Sequence, residues 1–371
     1  MAKQVKSKKV TPISTLRANY GRPETQYYDT GIFLLNDIWG GGIPTGKVIE
    51  IHSAEGLGKT TITVQMLRYL IAKHGLKAAY LDVEGALDES LRRNLGMLEY
   101  ENDSEDAPSF LYLCPYTYDE VSKAMNILTR GVYDIIVYDS IANTSLDIDE
   151  SEEADFKISK KIGQHSLLQG ELLKMFKGRL ARLGKTLIVI NQMRANINTN
   201  PMAKGPELKP AGGKVLDHNF DIRTAISRAE WLFDSDKIRI GARLRLTTIK
   251  NKVAPSYRQV ELELVFGRGI NKVTTLFDVL KNKDILKQRG AYFYFPGQEQ
   301  GLHGKDAAVD YVRDNYQECL AYVDDSSYQV NIMGDKIEEG ADIKTGVHED
   351  LIKQFEESGA TMASDSNDTK E

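Results

Sequence analysis

The sequence predicts an α/β protein: a mostly parallel central sheet, a short N-terminal arm and a small α/β C-terminal domain. Five apolar runs carry that expectation, KVIEIH (47–52), KAAYLD (77–82), FLYLCP (110–115), YDIIVYD (133–139) and TLIVIN (186–191), each separated from the next by enough chain for a helix. Near-continuous apolar strands of this kind belong in sheets buried on both faces. Between the first two runs, Ile62, Met66, Tyr69 and Leu70 recur at helical spacing over 60–74, and Gly75 stands where a C-cap ends such a helix.

Residues 1–30 read as a basic arm, with Lys3, Lys6, Lys8, Lys9, Arg17 and Arg22 preceding the first acid, Glu24. Its TPISTLR stretch either lends Ile13 and Leu16 to a neighbour's sheet edge as a polymerisation element or is a disordered arm. The core is expected over 31–272. Within it, 167–183 carries the apolar stripe Leu168, Leu172, Phe176, Leu180 and Leu183, and 237–266 alternates as antiparallel strands do. A smaller unit is expected over 273–347, and an acidic tail of disordered composition over 348–371.

The 371 residues, 41% of them hydrophobic, suffice for a full core of two or three units. Cys114 and Cys319 exclude a disulfide framework, and no Cys/His spacing matches a zinc site. The absence of a membrane-length apolar run, or of a signal-peptide core after the basic N-terminus, predicts a cytoplasmic protein, in a bacterial cell or a phage-infected host. A net charge of −5 argues at first against a nucleic-acid binder.

The chemistry begins at SAEGLGKTT. Ser53, Ala54, Glu55, Gly56, Leu57, Gly58, Lys59, Thr60 and Thr61 lie between a strand and a helix, the setting of a phosphate-binding P-loop. Backbone N–H groups cradle the phosphates, Lys59 reaches their outer oxygens and the Thr60 hydroxyl holds Mg²⁺. Ser53 replaces the usual first glycine, with Gly56 and Gly58 left to supply backbone freedom. Asp139, ending YDIIVYD, is the second magnesium carboxylate, reached through water. Glu84, after KAAYLD, can activate water, and Gln192, after TLIVIN, can contact a γ-phosphate.

In this order, these residues resemble the RecA family of recombinases over roughly 30–300. GGGIPTGKVIEIHSAEGLGKTT is similar to the family's first strand and phosphate loop, and YDIIVYDS to its second magnesium motif. LDVEGALD places Glu84 at the catalytic glutamate and Asp88 at an adenine-contacting position. VINQMR resembles the strand entering the second DNA-binding loop. KNKVAPSYRQ resembles the segment whose paired lysines, here Lys250 and Lys252, reach a neighbour's ATP. The resemblance implies a RecA-like P-loop core and a DNA-dependent ATPase using ATP and Mg²⁺. It further implies helical homo-oligomeric filaments on single-stranded DNA, and pairing with homologous double-stranded DNA in recombination and repair. Single-strand-binding and mediator proteins are implied partners, and a membrane is not. Ser53, Gly85 in place of a histidine, Leu91 in place of an adenine-stacking tyrosine and the short N-terminal region suggest a divergent, phage-type relative similar to UvsX.

The distribution of charge reverses what the mean suggests. Residues 157–214 hold twelve Lys or Arg against only Glu171 and Glu207, while 147–155 and the tail concentrate acid. A basic block of this kind suits a phosphate backbone. Lys161, Ile162 and Gly163 are expected where the first DNA loop turns into its helix, with Lys174 further along. Gln192 to Lys214 is expected to be an irregular second DNA loop bearing Arg194, Ile197, Met202, Lys204, Gly212, Gly213 and Lys214. The competing functions are a hexameric helicase on the same fold, or a non-motor ATP switch acting as a recombination mediator.

Overall fold

In a computed structural model, residues 23–145, 158–196 and 207–324 are described. The 1–22 arm, the acidic 147–155 patch and the 348–371 tail therefore lie outside the described residues. The chain enters through β1 (Tyr27–Tyr28), α1 (Phe33–Trp39) and β2 (Ile43–Pro44), then β3 (Val48–Ser53), α2 (Lys59–His74) and β4 (Ala78–Asp82). It continues through the short helices α3 (Glu89–Asn94) and α4 (Leu98–Glu101), β5 (Phe110–Leu113), α5 (Tyr118–Leu128) and β6 (Ile135–Asp139). Next come α6 (Ile158–Leu183), β7 (Thr186–Asn196), β8 (Glu207–Pro210), α7 (Gly213–Asp217), β9 (Ile222–Phe233), β10 (Arg239–Asn251), β11 (Gln259–Val265) and β12 (Gly269–Ile270). Last are α8 (Lys272–Asn282), a small sheet of β13 (Lys287–Arg289), β14 (Tyr292–Tyr294) and β15 (Leu302–His303), then α9 (Lys305–Asp314) and α10 (Tyr316–Asp324).

The main sheet runs β12-β11-β10-β9-β3-β7-β6-β4-β5, with β8 attached to β7. Pairing is parallel from β9 through to β5 and antiparallel from β9 to β12, so the sheet is mixed and mostly parallel. Strand alternation sorts its hydrocarbon into two layers. Ile49, Ile51, Tyr80, Val137 and Ile190 join Ile62, Met66 and Leu70 of α2. Val48, Leu81, Tyr138 and Val189 join Val121 and Met125 of α5 and Leu172, Phe176 and Leu180 of α6 on the opposite face. The five expected strands are all present, and α2 ends at Gly75 in the left-handed conformation (φ 64°). Among the described residues, no helix is long and apolar enough to cross a membrane.

Two expectations need correction, and one strand is not expected at all. The 167–183 helix starts at Ile158, so Lys161, Ile162 and Gly163 are helical and do not form a turn. β9 is a central strand that the sequence pattern does not announce, because Arg223, Thr224, Arg228 and Glu230 break up its apolar run. The stretch from Gln192 to Lys214 is ordered at both ends, since Met193–Asn196 pairs with Glu207–Pro210 as an antiparallel hairpin and α7 follows directly. Ile197, Met202 and Lys204 lie outside the described residues.

Candidate nucleotide site and DNA-facing hairpin

β3 ends at Ser53 and α2 begins at Lys59, so the chain must reverse between them. Gly56 (φ 71°) and Gly58 (φ 73°) supply the left-handed positions. A Cβ at Gly58 would also come within 2.9 Å of the Leu264 side chain on β11. Ser53 pairs in register with Gln192 on β7 and Ile226 on β9, an ordinary strand position that no glycine is needed to reach. Its hydroxyl donates to the Ala54 carbonyl (2.6 Å) and accepts from Lys59 Nζ (3.1 Å). Lys59 Nζ also donates to the Ala54 carbonyl at 3.1 Å, so the ammonium folds onto its own loop. Burial lowers its pKa, against the pull of Asp139, Glu84 and Glu55. The first turn of α2, with Thr60 and Thr61, leaves backbone N–H groups without intrahelical partners beside the exposed Glu55 and Gly56 and the half-buried Ala54 and Leu57.

Asp139 faces this loop from the end of β6. Its Oδ2 accepts from the Thr60 hydroxyl at 3.0 Å and from the Tyr80 hydroxyl at 2.5 Å. Burial pushes its carboxyl up to about 6, with Asp82 and Glu84 adding to the shift. Asp82, level with Asp139 in the β4–β6 register, accepts the N–H groups of Gly85 (2.8 Å) and Leu87 (2.9 Å) and the Tyr112 hydroxyl (2.8 Å). It thus fixes the turn that carries the exposed Glu84. Sequence reasoning passed over Asp82; its signal was an aspartate three residues before Gly85 at a strand end, the pattern of a side chain capping a turn. Gln192, buried at the end of the β3–β7 register, donates its amide to both Glu84 oxygens, each at 2.9 Å.

Asp88 is exposed and caps α3 by accepting the Leu91 N–H at 2.7 Å, and Leu91 packs against the apolar cluster. Lys250 and Lys252 are not brought to this site. Lys250 sits at the end of β10, opposite Arg223 at the start of β9, and its Nζ donates to the Asp217 carbonyl at 2.6 Å. Lys252 Nζ meets Asp221 Oδ1 at 3.0 Å, and Asp221 Oδ2 accepts the Val48 N–H. Through these registers Lys250 is level with Glu50 and Lys252 with Val48, about 10 Å and about 16 Å of strand from Ser53 at the end of β3.

The hairpin grows out of the same strand edge. Gln192 O accepts the Ala211 N–H at 3.0 Å, and Arg194, further out, donates to the Ala142 carbonyl at 2.5 Å. Gly212 (φ 93°) caps α7 and Gly213 opens it, as expected of a helix start after the loop, with Lys214 in its first turn. The basic block divides in two. Lys174 is exposed on α6, whereas Lys177 binds Asp221, Arg179 donates to Asn126 and Thr129, and Lys185 donates to the carbonyls of Gly131 and Tyr133.

Comparison with known proteins shows the family. The family model of the RecA N-terminal domain matches residues 8–271. The chain is 34% identical over 296 residues to Protein RecA of Frankia casuarinae, covering 79% of this chain and 81% of that protein. It is 32% identical over 294 residues to Protein RecA of Salinispora tropica, covering 79% and 80%. With Protein RecA of Mycobacterium ulcerans it shares 33% identity over 276 residues, or 74% and 75% of the two chains. With a P-loop, a strand-end aspartate and a glutamate–glutamine pair at the carboxyl edge of one mostly parallel sheet, the chain belongs to the RecA family of DNA-dependent ATPases and recombinases.

Proposed function

We propose that the Ser53–Thr61 loop binds ATP with Mg²⁺, and that the 31–272 core assembles head to tail on single-stranded DNA to pair it with homologous duplex. The observation that carries this reading is the Gln192–Glu84 contact, because it joins the hydrolytic carboxylate to the first strand of the hairpin. A γ-phosphate beside the P-loop competes for the Gln192 amide. Once released, Glu84 is free to orient and deprotonate the attacking water. The same movement is passed to Arg194 and the hairpin, which is where DNA is read.

The residues present fit a magnesium ion. Thr60 and Asp139 set a hydroxyl and a carboxylate on one point, and the raised Asp139 carboxyl is that of a buried acid in want of a cation. Among the described residues no group of three or more His, Cys, Asp or Glu could hold a metal alone, so an ion at Thr60 and Asp139 would depend on oxygens from its nucleotide or from water. When bound there, magnesium would neutralise charge developing on the phosphates. Lys59 would leave the Ser53 and Ala54 oxygens to bind the outer phosphates, and the exposed Asp88 is assigned an adenine contact on the family resemblance.

Lys250 and Lys252 face away from their own loop, which supports their acting on the nucleotide of an adjacent copy. The DNA-facing set comprises the hairpin with Arg194, Ile197, Met202 and Lys204, the α7 start at Gly212, Gly213 and Lys214, and the α6 residues Lys161, Ile162, Gly163 and Lys174. The 273–347 unit is proposed as a small C-terminal domain. Electron microscopy with single-stranded DNA and a slowly hydrolysed ATP analogue tests the whole reading. Helical filaments are expected, together with ATP turnover stimulated by single-stranded DNA; closed rings or no assembly would overturn it.

A further inference from the structure

On the sheet face covered by α6 and α7, β3 presents Val48 and then turns polar at Glu50 and His52, although both are buried. Glu50 is fully enclosed. Arg223, its neighbour in the β3–β9 register, donates through Nε to Glu50 Oε2 at 2.5 Å. His52 Nδ1 lies 3.1 Å from the same oxygen, and Asn191 Nδ2 donates to Oε1 at 2.8 Å. Burial alone would raise the Glu50 carboxyl, but His52 and Arg223 override it and hold it at about 2. A buried ion pair is seldom more stable than an apolar pair of equal volume, so stability is a weak reason for it to be there.

What the cluster touches is more informative. At one end, Arg223 Nη1 holds Asp217 Oδ1 at 2.8 Å, and Asp217 is the residue whose carbonyl accepts Lys250. At the other, Asn191 accepts the Gln192 N–H at 2.9 Å and donates to the Ala211 carbonyl at 3.0 Å, gripping both legs of the hairpin. An unbroken series of polar contacts therefore runs from Lys250 through Asp217, Arg223, Glu50 and Asn191 to Gln192. We infer that the Glu50–Arg223 pair and Asn191 are positioning residues that link the Lys250 end of the strands to Gln192 and the hairpin. The inference rests on the trans role of Lys250 and the γ-phosphate role of Gln192 proposed above. When Lys250 leaves the Asp217 carbonyl for a phosphate of the adjacent copy, α7 loses a restraint. Arg223 and Glu50 carry that change to Asn191. Nucleotide held by one copy thereby sets the DNA hairpin of the next.

A contiguous network becomes a pathway only when coupling is measured. The measurement is single-stranded DNA affinity of the full-length chain with and without a slowly hydrolysed ATP analogue. The variants are the double variant Glu50→Met with Arg223→Met, an apolar replacement of similar bulk, and Asn191→Ala. Both are expected to fold, to bind the analogue normally and to keep nucleotide-free DNA affinity, while nucleotide-induced tightening falls about tenfold. Arg223→Lys, which keeps the charge beside Glu50, should retain most of the tightening. A folded variant with full tightening would overturn the link. Unfolding of the double variant would overturn it too, by making the cluster a structural support. If the wild-type chain shows no tightening, the roles of Gln192 and Lys250 fall first and the link falls with them.

Discussion

At the carboxyl ends of β4 and β6 the structure gathers Asp82, Glu84 and Asp139, and burial with mutual repulsion raises Asp139 to about 6. At the amino ends of β3 and β9 it gathers Lys177, Arg223, Lys250 and Lys252. There burial, Lys252, Lys177 and Arg223 depress Lys250, while burial outweighs the Asp221 contact and depresses Lys177. The two groups lie on different strands of one sheet and differ in how they are met: Arg223 meets Glu50 and Asp217, Lys177 and Lys252 share Asp221, and Lys250 donates to a carbonyl. In the assembly proposed above, the basic end of one copy meets the acidic end of the next. A contact between opposite ends of identical molecules is heterologous and generates a helix unless it closes into a ring. Assembly and catalysis therefore draw on the same electrostatic asymmetry.

Disabling the acidic end tests that asymmetry most severely. Glu84→Gln should keep nucleotide and DNA binding while turnover falls by about three orders of magnitude, consistent with loss of a group that activates water. Near-normal turnover in a steady-state ATPase assay would remove Glu84 from the chemistry. Disabling the basic end comes next. Lys250→Ala with Lys252→Ala should abolish DNA-stimulated turnover while an isolated copy still binds nucleotide. Mixing that variant in equal amount with Glu84→Gln should restore about a quarter of wild-type turnover, because a quarter of random heterologous contacts pair an intact Glu84 with intact lysines. No recovery on mixing would place both groups in one copy's site, against the geometry.

Asp139→Asn separates the stability of the acidic end from its function. The folded carboxyl titrates near 6 against an ordinary 3.8, so its ionised form is penalised as pH rises through that interval. The nucleotide-free variant should therefore match wild type below about pH 4 and exceed its stability by about 3 kcal/mol above pH 6. Magnesium-dependent nucleotide binding should be lost at the same time. Denaturant melts across that pH range check the sign; a variant less stable at neutral pH would mean the carboxylate is well solvated.

Much of this was legible from local pattern. Ile135–Asp139 and Thr186–Asn191 announce strands by apolar runs, and Gly56, Gly58, Lys59 and Thr60 announce a phosphate loop by spacing alone. The rest depends on contacts between residues far apart in the chain. Arg223 and Thr224 look like solvated residues until β9 is seen between β3 and β10, where Arg223 meets Glu50 and Thr224 meets the Trp39 indole N–H at 2.9 Å. Asn196 and Glu207 have no local signal that they pair across the hairpin. The dense basic block misleads in the opposite way, since adjacency in sequence hides how Lys177, Arg179 and Lys185 turn inward.

That division of the basic block yields the smallest effect and the finest discrimination. Lys174, exposed on α6, should count as one phosphate contact, so Lys174→Ala should weaken single-stranded DNA binding a few-fold and flatten its salt dependence by about one unit of slope. Arg179 is bonded to Asn126 Oδ1 at 2.9 Å and Thr129 Oγ1 at 3.0 Å, joining α6 to α5. Arg179→Ala should therefore lower thermal stability slightly and leave the salt slope where it was. Fluorescence titrations at several salt concentrations distinguish the two. Equal slopes for both variants would mean that the DNA face is carried by the hairpin alone, and that α6 serves to cover one face of the sheet.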